Sequence, residues 1–447
     1  MLWIFRWNLI TICFIVLSNY AESFGIYDIR NIPTICTTSV LYAKKSSKIK
    51  SSVKKSSVVA GVKGFGGASP SIVGGNTSTN KKDGLIKLDR SKNALTFYDY
   101  LESHGAGDNL KRVALGYFPL PDGENQLRGV VALRDIPKGE VILRIPYELA
   151  INLGVEGDDP TLPAWTLLQR YCQALTTSST VSTTTGMDHS PYFRMLPEYQ
   201  GSDCQGATDF FSDVALDALQ APTMVAETKF RQERAEQFLD GSTEEKFPWI
   251  DGKTPIHISH LSWAIWLITS RVLTVVGPPT LDESDGLSTS SSSSFRLLIP
   301  FLDMCNHDRS SPHILTGRAM PGGELKIVAG SNVVAGSQIN IMYGGGVAGN
   351  DRFLQDYGFL DSNENAYDAI AQQIMGRTTT TARRLGSSMV GKAAMFKSDR
   401  DATLSALEMT TLSDDESLLL LQTDPAMMTA IQYRIGVKKA LSRLMSM

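Results

Sequence analysis

Three polar side chains follow one apolar run in this sequence, and their types suit binding or catalysis. The run LLIPFL occupies positions 297–302 and leads to Asp303, Asn306 and His307. Such runs are buried, and a buried polar group is costly unless another group pairs with it. A carboxylate, an amide and an imidazole delivered together therefore indicate a ligand pocket. The simpler alternative is a capped turn that contains one hydrogen-bonded histidine.

Two other patterns offer weaker chemistry. The run 344–349 satisfies GxGxxG, but a dinucleotide fingerprint also needs a helix and a second strand, and no second β run follows. His257 and His260 lie at a predicted helix start without a clustered carboxylate, which favours helix capping over a metal pair. We therefore expect neither a dinucleotide nor a metal.

Two tyrosines further along the chain, Tyr343 and Tyr357, belong to the same pattern as the polar residues described above. The chain resembles the SET-domain methyltransferases, in particular the branch that includes the plant Rubisco large-subunit lysine methyltransferases and the actin-histidine methyltransferase. The resemblance spans about 127–361. Four blocks carry it, in the family's order: GVVALRDI at 129–136 with KGE at 138–140; SPYFRMLP at 190–197 with Trp263, Ser270 and Arg271; Asn306 with His307; and the segments around Tyr343 and Tyr357.

The resemblance implies S-adenosylmethionine as the cofactor and assigns residues to it. The backbone of Asn306 and His307 would contact its amino and adenine portions, and Asp303 would orient this segment. Arg271 would pair with the cofactor carboxylate, a contact suited to a guanidinium. Main-chain contacts are expected from Gln126, Leu127 and Arg128. The family usually carries an acidic residue, a glycine and an apolar residue at those three positions, so this sequence departs from the pattern there.

The resemblance also places the chemistry at Tyr343, the family's catalytic-tyrosine position, and makes Tyr357 a wall of the lysine channel. Methyl transfer from a sulfonium to a neutral amine needs alignment and a desolvated channel more than acid–base groups. The implied activity is protein-lysine N-methyltransfer. Three alternatives stay open: methylation of histidine by the same fold, a catalytically silent protein that binds a partner, and two tyrosines that are merely core aromatics.

Elements that position these residues can be predicted from periodicity and turn signals. Residues 95–101 indicate a short helix, and 128–133 and 140–146 are β-branched runs separated by a Pro–Gly turn. The pattern is helical from about 160 to 276 and again from about 368. Strand character returns at 325–329 and 338–343. The Ser/Thr tracts 176–185 and 288–294 suggest surface loop insertions.

These elements give an α+β fold: a SET β-fold with a threaded C-terminal segment, a large helical insert and a helical C-terminal region. We expect the SET domain at 85–367, with the insert at about 155–290. Residues 368–447 would form the C-terminal region, which is short for the family's full substrate-binding domain.

Composition limits the choice of partners. The chain has 447 residues and a formal net charge of −3, which argues against nucleic acid because phosphate binding depends on excess Lys and Arg. Its five cysteines show no CxxC spacing, so neither a disulfide framework nor a zinc site is expected. The expected partner is a protein substrate.

The first 84 residues read as targeting sequence rather than as part of the fold. Residues 1–23 resemble a secretory signal peptide, with an apolar core at 9–17 after Arg6. Residues 24–84 are transit-like, since no Asp or Glu occurs between Arg30 and Asp83. With Phe24 after the signal, the pair resembles the bipartite presequence of algae with secondary plastids. We expect plastid delivery without stable membrane association after removal; secretion or a retained signal anchor are the alternatives.

Overall fold

The computed structural model describes residues 86–119, 126–155, 157, 159–176, 187–241, 247–280, 291–346, 348–377 and 395–446. These residues belong to one unit, 81–447. The predicted signal peptide and transit-like segment lie outside the described residues, as do positions 177–185 of the first Ser/Thr tract. Within the described ranges, no helix combines the length and apolarity that crossing a membrane requires.

Eleven strands in the described part of the chain form three sheets. The strands are β1 (Lys87–Leu88), β2 (Val113–Pro119), β3 (Gln126–Ala132), β4 (Val141–Pro146), β5 (Ile151–Val155), β6 (Leu273–Thr280), β7 (Ser291–Leu298), β8 (Asn306–His307), β9 (Ile314–Gly317), β10 (Glu324–Val328) and β11 (Gln338–Ile341). The sheet orders are β1-β2-β3-β11-β8, β4-β10-β9 and β5-β7-β6.

The parallel pairing of β8 with β11 is the feature of the sheets that matters most for the site. Asn340 lies opposite Asn306, and Ile341 lies opposite His307. On its other side β11 pairs antiparallel with β3, where Ile339 lies opposite Val130. Three segments that are far apart in sequence therefore meet at one edge of the five-stranded sheet.

The two β-branched runs near the start of the fold are strands, but they do not pair with each other. β3 forms its hairpin with β2, in which Gly116 lies opposite Gly129. β4 pairs with β10, where Leu325 lies opposite Ile145. The turn at 134–139 thus connects strands of two different sheets and does not close a hairpin between these runs. A Pro–Gly turn indicates that the chain reverses direction, but it does not indicate which strand pairs with the next one.

Twelve α-helices occur in the described residues. They are α1 (Lys92–Ser103), α2 (Thr161–Thr176), α3 (Ser190–Phe193), α4 (Ser202–Gln205), α5 (Asp213–Ala218), α6 (Pro222–Gly241), α7 (Ile258–Arg271), α8 (Asn350–Arg352), α9 (Asp368–Ile374), α10 (Lys397–Leu407), α11 (Leu412–Leu421) and α12 (Pro425–Ser446). The mixture of helices and sheets confirms the predicted α+β class.

Capping residues explain where several helices begin. The Ser91 hydroxyl accepts the backbone N–H of Ala94 at the start of α1. At α7, His257 is the N-cap residue and the Nδ1 of His260 accepts the backbone N–H of His257. The two histidines form a reciprocal capping box. The prediction that they cap a helix is confirmed.

The second Ser/Thr tract is not a loop throughout. Ser291 to Ser294 belong to β7, and Ser294 lies opposite Val276 of β6. The helical pattern also stops earlier than predicted, because α7 ends at Arg271 and β6 begins at Leu273. Pairing with β6 makes this Ser-rich segment a strand, and the low complexity of its sequence gives no sign of that pairing.

Two apolar cores hold the elements together. The main core packs the sheets against α1, α2 and α7, with Trp165, Trp263 and Tyr192 fully buried. A second core joins α5 and α6 to the C-terminal helices through residues such as Leu216 and Tyr433. The insert therefore contributes to both cores, and it connects the SET-like sheets to the C-terminal region.

Candidate functional site

The backbone turns sharply where the apolar run gives way to polar residues. Phe301 is fully buried and adopts a φ of 71°, in the left-handed region that side-chain-bearing residues avoid. Its ring packs edge-on against Phe97, with centroids 6.0 Å apart. The packing offsets a backbone cost of about 1–2 kcal/mol. The turn leads into the 3₁₀ helix Leu302–Met304, so that Asp303 points into the interior.

Asp303 anchors Arg271. Its side chain is fully buried, and its Oδ2 accepts the Tyr192 hydroxyl at 2.8 Å and lies 3.5 Å from Arg271 Nη1. The same Nη1 donates to the Asp303 carbonyl at 3.1 Å. Burial raises the pKa of Asp303, and the Arg271 guanidinium acts against that rise. Asp303 therefore fixes the guanidinium, and its carboxylate does not reach the side chains of Asn306 and His307.

Asn306 connects β8 to β3. Its Nδ2 donates to the Arg128 carbonyl at 2.9 Å. The contact therefore involves the main chain of Arg128. The contact is possible because the next residue is Gly129: a Cβ there would lie 2.6 Å from Asn306 Nδ2 and 2.6 Å from Gln338 Nε2. A glycine at this position therefore permits the close approach of the two segments.

His307 is placed as a neutral hydrogen-bonding group. Its Nδ1 accepts the backbone N–H of Tyr343 at 3.0 Å, which leaves the proton on Nε2. Burial lowers the pKa of His307, so the ring is neutral at neutral pH. Nε2 lies 3.7 Å from Asp361 Oδ2, too far for a direct hydrogen bond. The arrangement supports a binding role rather than a proton shuttle.

Tyr343 is fixed by a main-chain oxygen of the opposite segment. Its hydroxyl donates to the Cys305 carbonyl at 2.6 Å. Burial raises the pKa of Tyr343 well above its ordinary value, so the hydroxyl remains a donor. Tyr357 stacks on it, with centroids 5.0 Å apart and an interplanar angle of 23°. Tyr343 thus lies against the Cys305 carbonyl and Tyr357 stacks on its ring, as the wall of a narrow channel would require.

A cavity of about 510 Å³ lies beside His307. Its wall includes Asn340, Arg309, Phe359 and Asp361. Arg309 Nε donates to Asp361 Oδ2 at 2.9 Å, and the Phe359 ring lies 6.0 Å from the His307 ring. The cavity therefore combines an aromatic surface with polar groups, a mixture typical of sites for a heteroaromatic ligand.

Several buried polar atoms around this site have no protein partner among the described residues. They are Arg271 Nε, Asp303 Oδ1, His307 Nε2 and Asn340 Oδ1. Buried donors and acceptors are normally paired, and a bound ligand supplies partners in such places. In the described ranges, no group of three His, Cys, Asp or Glu side chains is arranged to hold a metal ion.

The structure brings most of the predicted residues together. Arg271, Asp303, Asn306, His307, Tyr343 and Tyr357 are linked by the contacts above. Gln126 and Leu127 are exposed at the start of β3, while Arg128 Nη2 donates to the Met195 carbonyl at 2.5 Å. Sequence reasoning missed roles for Gly129, Tyr192, Arg309 and Asp361. The first two lie within the matched blocks, whereas the Arg309–Asp361 pair depends on tertiary contact.

Comparison with known proteins agrees with this geometry. Residues 127–344 match the SET domain family model. The Ribulose-1,5 bisphosphate carboxylase/oxygenase large subunit N-methyltransferase, chloroplastic, of Pisum sativum is 24% identical over 261 residues, which are 54% of this chain and 47% of that protein. The chain therefore spans about half the length of this curated relative.

A solved structure shares the fold. The SET domain of LSMT bound to lysine and AdoHcy is 18% identical, with a TM-score of 0.50, and the match covers 79% of this chain and 90% of that one. Rubisco LSMT bound to AdoMet is 17% identical, with a TM-score of 0.48 and coverage of 79% and 91%. Residues 127–344 thus match the SET domain, and the chain is similar to the Rubisco large-subunit methyltransferase branch of SET proteins.

Proposed function

We propose that this protein is an S-adenosylmethionine-dependent methyltransferase that acts on a lysine of a protein substrate. The observation that carries the proposal is the hydrogen bond from the Tyr343 hydroxyl to the Cys305 carbonyl, directly beside His307 and Tyr357. It aligns a hydroxyl, a carbonyl oxygen and an aromatic wall at the place where three chain segments meet. The SET domain gives methyl transfer as the reaction class.

Residues already described fit the cofactor. Arg271 would bind its carboxylate, because the guanidinium is held by Asp303 and retains an unpartnered Nε. The cavity beside His307 would take the adenine, with Phe359 as an aromatic surface and Asn340 as a polar one. The backbone at Arg128, Asn306 and His307 would contact the remainder. When bound, S-adenosylmethionine supplies a methyl group on a sulfonium, which an amine takes by in-line displacement.

The chain's own residues would align and desolvate that amine. Tyr343 keeps its proton, so it acts as a hydrogen-bonding guide and not as a base. The Cys305 carbonyl, already engaged by Tyr343, marks the oxygen-lined end of the channel. Tyr357 and Tyr343 exclude water from one side, and an apolar environment lowers the pKa of a lysine ammonium, which favours the neutral nucleophile.

A plastid protein is the substrate class we propose. Support comes from the transit-like residues 24–84, which contain no Asp or Glu between Arg30 and Asp83, and from the chloroplastic location of the Pisum sativum relative. Lysine is favoured because the similar LSMT structure holds lysine in its site. Histidine methylation and silent partner binding are distinguished from this proposal by the experiment below.

The test incubates the full chain with methyl-labelled S-adenosylmethionine and a plastid extract, followed by mass spectrometry of labelled proteins. We expect label on lysine side chains, and we expect Tyr343→Phe to reduce it. Label on histidine would replace the lysine assignment. Cofactor binding without transfer, unchanged by Tyr343→Phe, would identify a silent binder. A fluorescent reporter fused to residues 1–90 tests delivery, and purely secreted fluorescence would contradict the plastid assignment.

A further inference from the structure

The turn that carries Tyr357 has an unusual shape. Residues Phe353–Tyr357 form a single π-helical turn, which ends at Gly358 with a φ of 83°. The backbone N–H of Gly358 donates to the Phe353 carbonyl at 2.9 Å. π-turns of this kind are rare and frequently lie at functional sites. Contacts from neighbouring elements hold this turn, and with it Tyr357, in place.

Helix α6 of the insert contacts this turn through Arg231. Its Nη1 donates to Asp356 Oδ1 at 2.8 Å, and its Nη2 donates to the Gln355 carbonyl at 3.2 Å. The same Nη2 lies 2.9 Å from Asp209 Oδ2. Only 12% of the Arg231 side chain and 5% of the Asp209 side chain is exposed, so solvent screens this pair weakly.

Helix α7 holds the same turn from another direction. The Thr269 hydroxyl donates to the Asp356 carbonyl at 3.1 Å. Arg271, the guanidinium proposed to bind the cofactor carboxylate, lies two positions further along that helix. The residue immediately before Tyr357 is therefore held by its side chain from α6 and by its carbonyl from α7.

The backbone after Tyr357 is held by direct packing. A Cβ on Gly206 would lie 2.1 Å from the Gly358 carbonyl oxygen, and a Cβ on Gly358 would lie 2.8 Å from the Ala207 nitrogen. Both positions therefore require glycine for this approach. The segment at 206–207 and the Asp209 carboxylate come from the same part of the insert, so the insert contacts the chain on both sides of Tyr357.

We propose that Arg231 is a positioning residue that sets the place of the Tyr357 ring against Tyr343, and so makes methyl transfer depend on the helical insert. The effect of Arg231 on the rate of methyl transfer rests on the proposed function. Its structural content stands on the Arg231, Thr269 and Gly206 contacts. A lysine at position 231 is not equivalent to the arginine, because the guanidinium reaches its partners from two nitrogens of a planar fork, whereas lysine carries all its donors on one nitrogen.

The matched control is Arg234→Gln. Arg234 lies on the same helix and pairs with Asp159 at 2.5 Å, but 44% of its side chain is exposed and the pair does not contact the Tyr357 turn. Arg231 also lines a cavity of about 1200 Å³ between the insert and the C-terminal helices, so direct contact with a protein substrate is the competing role. The experiment must separate positioning from that contact.

The first measurement is ¹⁹F NMR of the full chain labelled with 3-fluorotyrosine, in which the Tyr357 signal is assigned by Tyr357→Phe. We expect Arg231→Gln, Arg231→Lys and Thr269→Val to shift that signal, and Arg234→Gln to leave it in place. Thr269→Val removes one hydroxyl and no charge, so it remains informative if Arg231→Gln does not fold. An unmoved Tyr357 signal in folded Arg231→Gln and Thr269→Val proteins would overturn the proposal.

The second measurement is the initial rate of label transfer at increasing amounts of plastid extract. We expect Arg231→Gln to lower kcat about tenfold or more with a smaller change in KM, because misalignment at the reacting centre acts on the chemical step. A rise in KM alone would assign Arg231 to substrate contact and overturn the positioning role. If the wild-type chain transfers no label, the proposed function fails, while the NMR measurement still tests the positioning.

Discussion

At the scale of single residues, the position of the Tyr343 hydroxyl is fixed by its hydrogen bond to the Cys305 carbonyl oxygen. The hydroxyl donates to a main-chain carbonyl of the segment that also carries Asn306 and His307, so the proposed catalytic tyrosine and the proposed cofactor segment are one hydrogen-bonded unit. Burial keeps the phenol protonated. We therefore expect Tyr343 to contribute alignment, and we expect its ionisation not to affect the pH dependence of the reaction near neutrality.

Removal of that hydroxyl tests the role of Tyr343. We expect Tyr343→Phe to lower kcat about tenfold or more, equivalent to about 1.4 kcal/mol of transition-state stabilisation, while the affinity for S-adenosylmethionine is retained. Tyr147→Phe, which alters a tyrosine at the end of β4, is the control. Steady-state kinetics and calorimetry give both values. Equal kcat for wild type and Tyr343→Phe would contradict the assignment.

Asp209 makes the stability of the fold depend on pH, and the direction of that dependence follows from its raised pKa. Burial raises the pKa of Asp209 to about 6, although Arg231 acts against the rise and Asp356 and Glu227 add to it. A raised pKa in the folded protein means that the group stabilises the fold below about pH 4 and loses that contribution as the pH rises through about 6.

As the pH rises from about 4 to about 6, we therefore expect the unfolding free energy of Asp209→Asn to increase relative to that of the wild type, by about 2–3 kcal/mol in total. The difference should be constant above that window. Urea unfolding of both proteins across the pH range measures it. A difference that does not change with pH would show that the Asp209 carboxyl has an ordinary pKa.

At the scale of elements, the parallel pair β8–β11 creates the site, because it brings Asn306 and His307 beside the segment that leads to Tyr343. β3 lies on the other side of β11, and the carbonyl of its Arg128 accepts a hydrogen bond from Asn306. Gly129 makes that approach possible, since any side chain there meets Asn306 and Gln338.

Gly129→Ala tests this close approach. The added methyl group would displace the Asn306 amide from the Arg128 carbonyl, with an expected loss of about 1–3 kcal/mol of unfolding free energy and weaker S-adenosylmethionine binding. Gly241→Ala is the control, because a Cβ at the end of α6 meets no atom within 4 Å. If both variants behave alike in denaturation and calorimetry, the packing role of Gly129 is refuted.

The sequence predicted most elements, because those follow from periodicity and capping. Asp303, Asn306 and His307 were predicted from the polar residues that end an apolar run, whereas Arg271, Tyr343 and Tyr357 were predicted only through the family resemblance. The sequence did not predict which strands pair: β3 and β4 lie in different sheets although a short turn joins them. It also missed the strand at 291–294, where pairing with β6 overrides a Ser-rich composition. Roles for Arg309 and Asp361 depend on two segments 52 positions apart, a separation that local patterns do not encode.

At the scale of the whole molecule, the C-terminal helices are tied to the insert by a buried charge cluster. Asp415 is fully buried, with Oδ1 2.7 Å from Arg434 Nη2 and Oδ2 2.6 Å from Lys438 Nζ. Arg434 also donates to the Ala218 carbonyl of α5 at 2.9 Å. The cluster thus orients α12 against the insert, and the second apolar core surrounds the same elements.

Asp415→Ala should therefore destabilise the protein strongly. Loss of the carboxylate leaves two buried cations without their partner, at an expected cost of about 3–5 kcal/mol. Glu416→Ala, which breaks the exposed pair with Lys439, should cost about 0–1 kcal/mol. Thermal unfolding of the two variants measures the contrast. A similar midpoint for both would mean that the cluster does not stabilise the C-terminal region.

Binding of S-adenosylmethionine to the full chain, measured by isothermal titration calorimetry, tests the central claim most directly. The geometry of Arg271, Asn306 and His307 predicts one site per chain. It also predicts that Arg271→Lys binds about tenfold or more weakly, since hydrogen bonds between charged groups contribute about 1.5–3 kcal/mol. Saturable binding that weakens in Arg271→Lys is the expected result. The absence of binding by the folded wild-type chain would contradict the account.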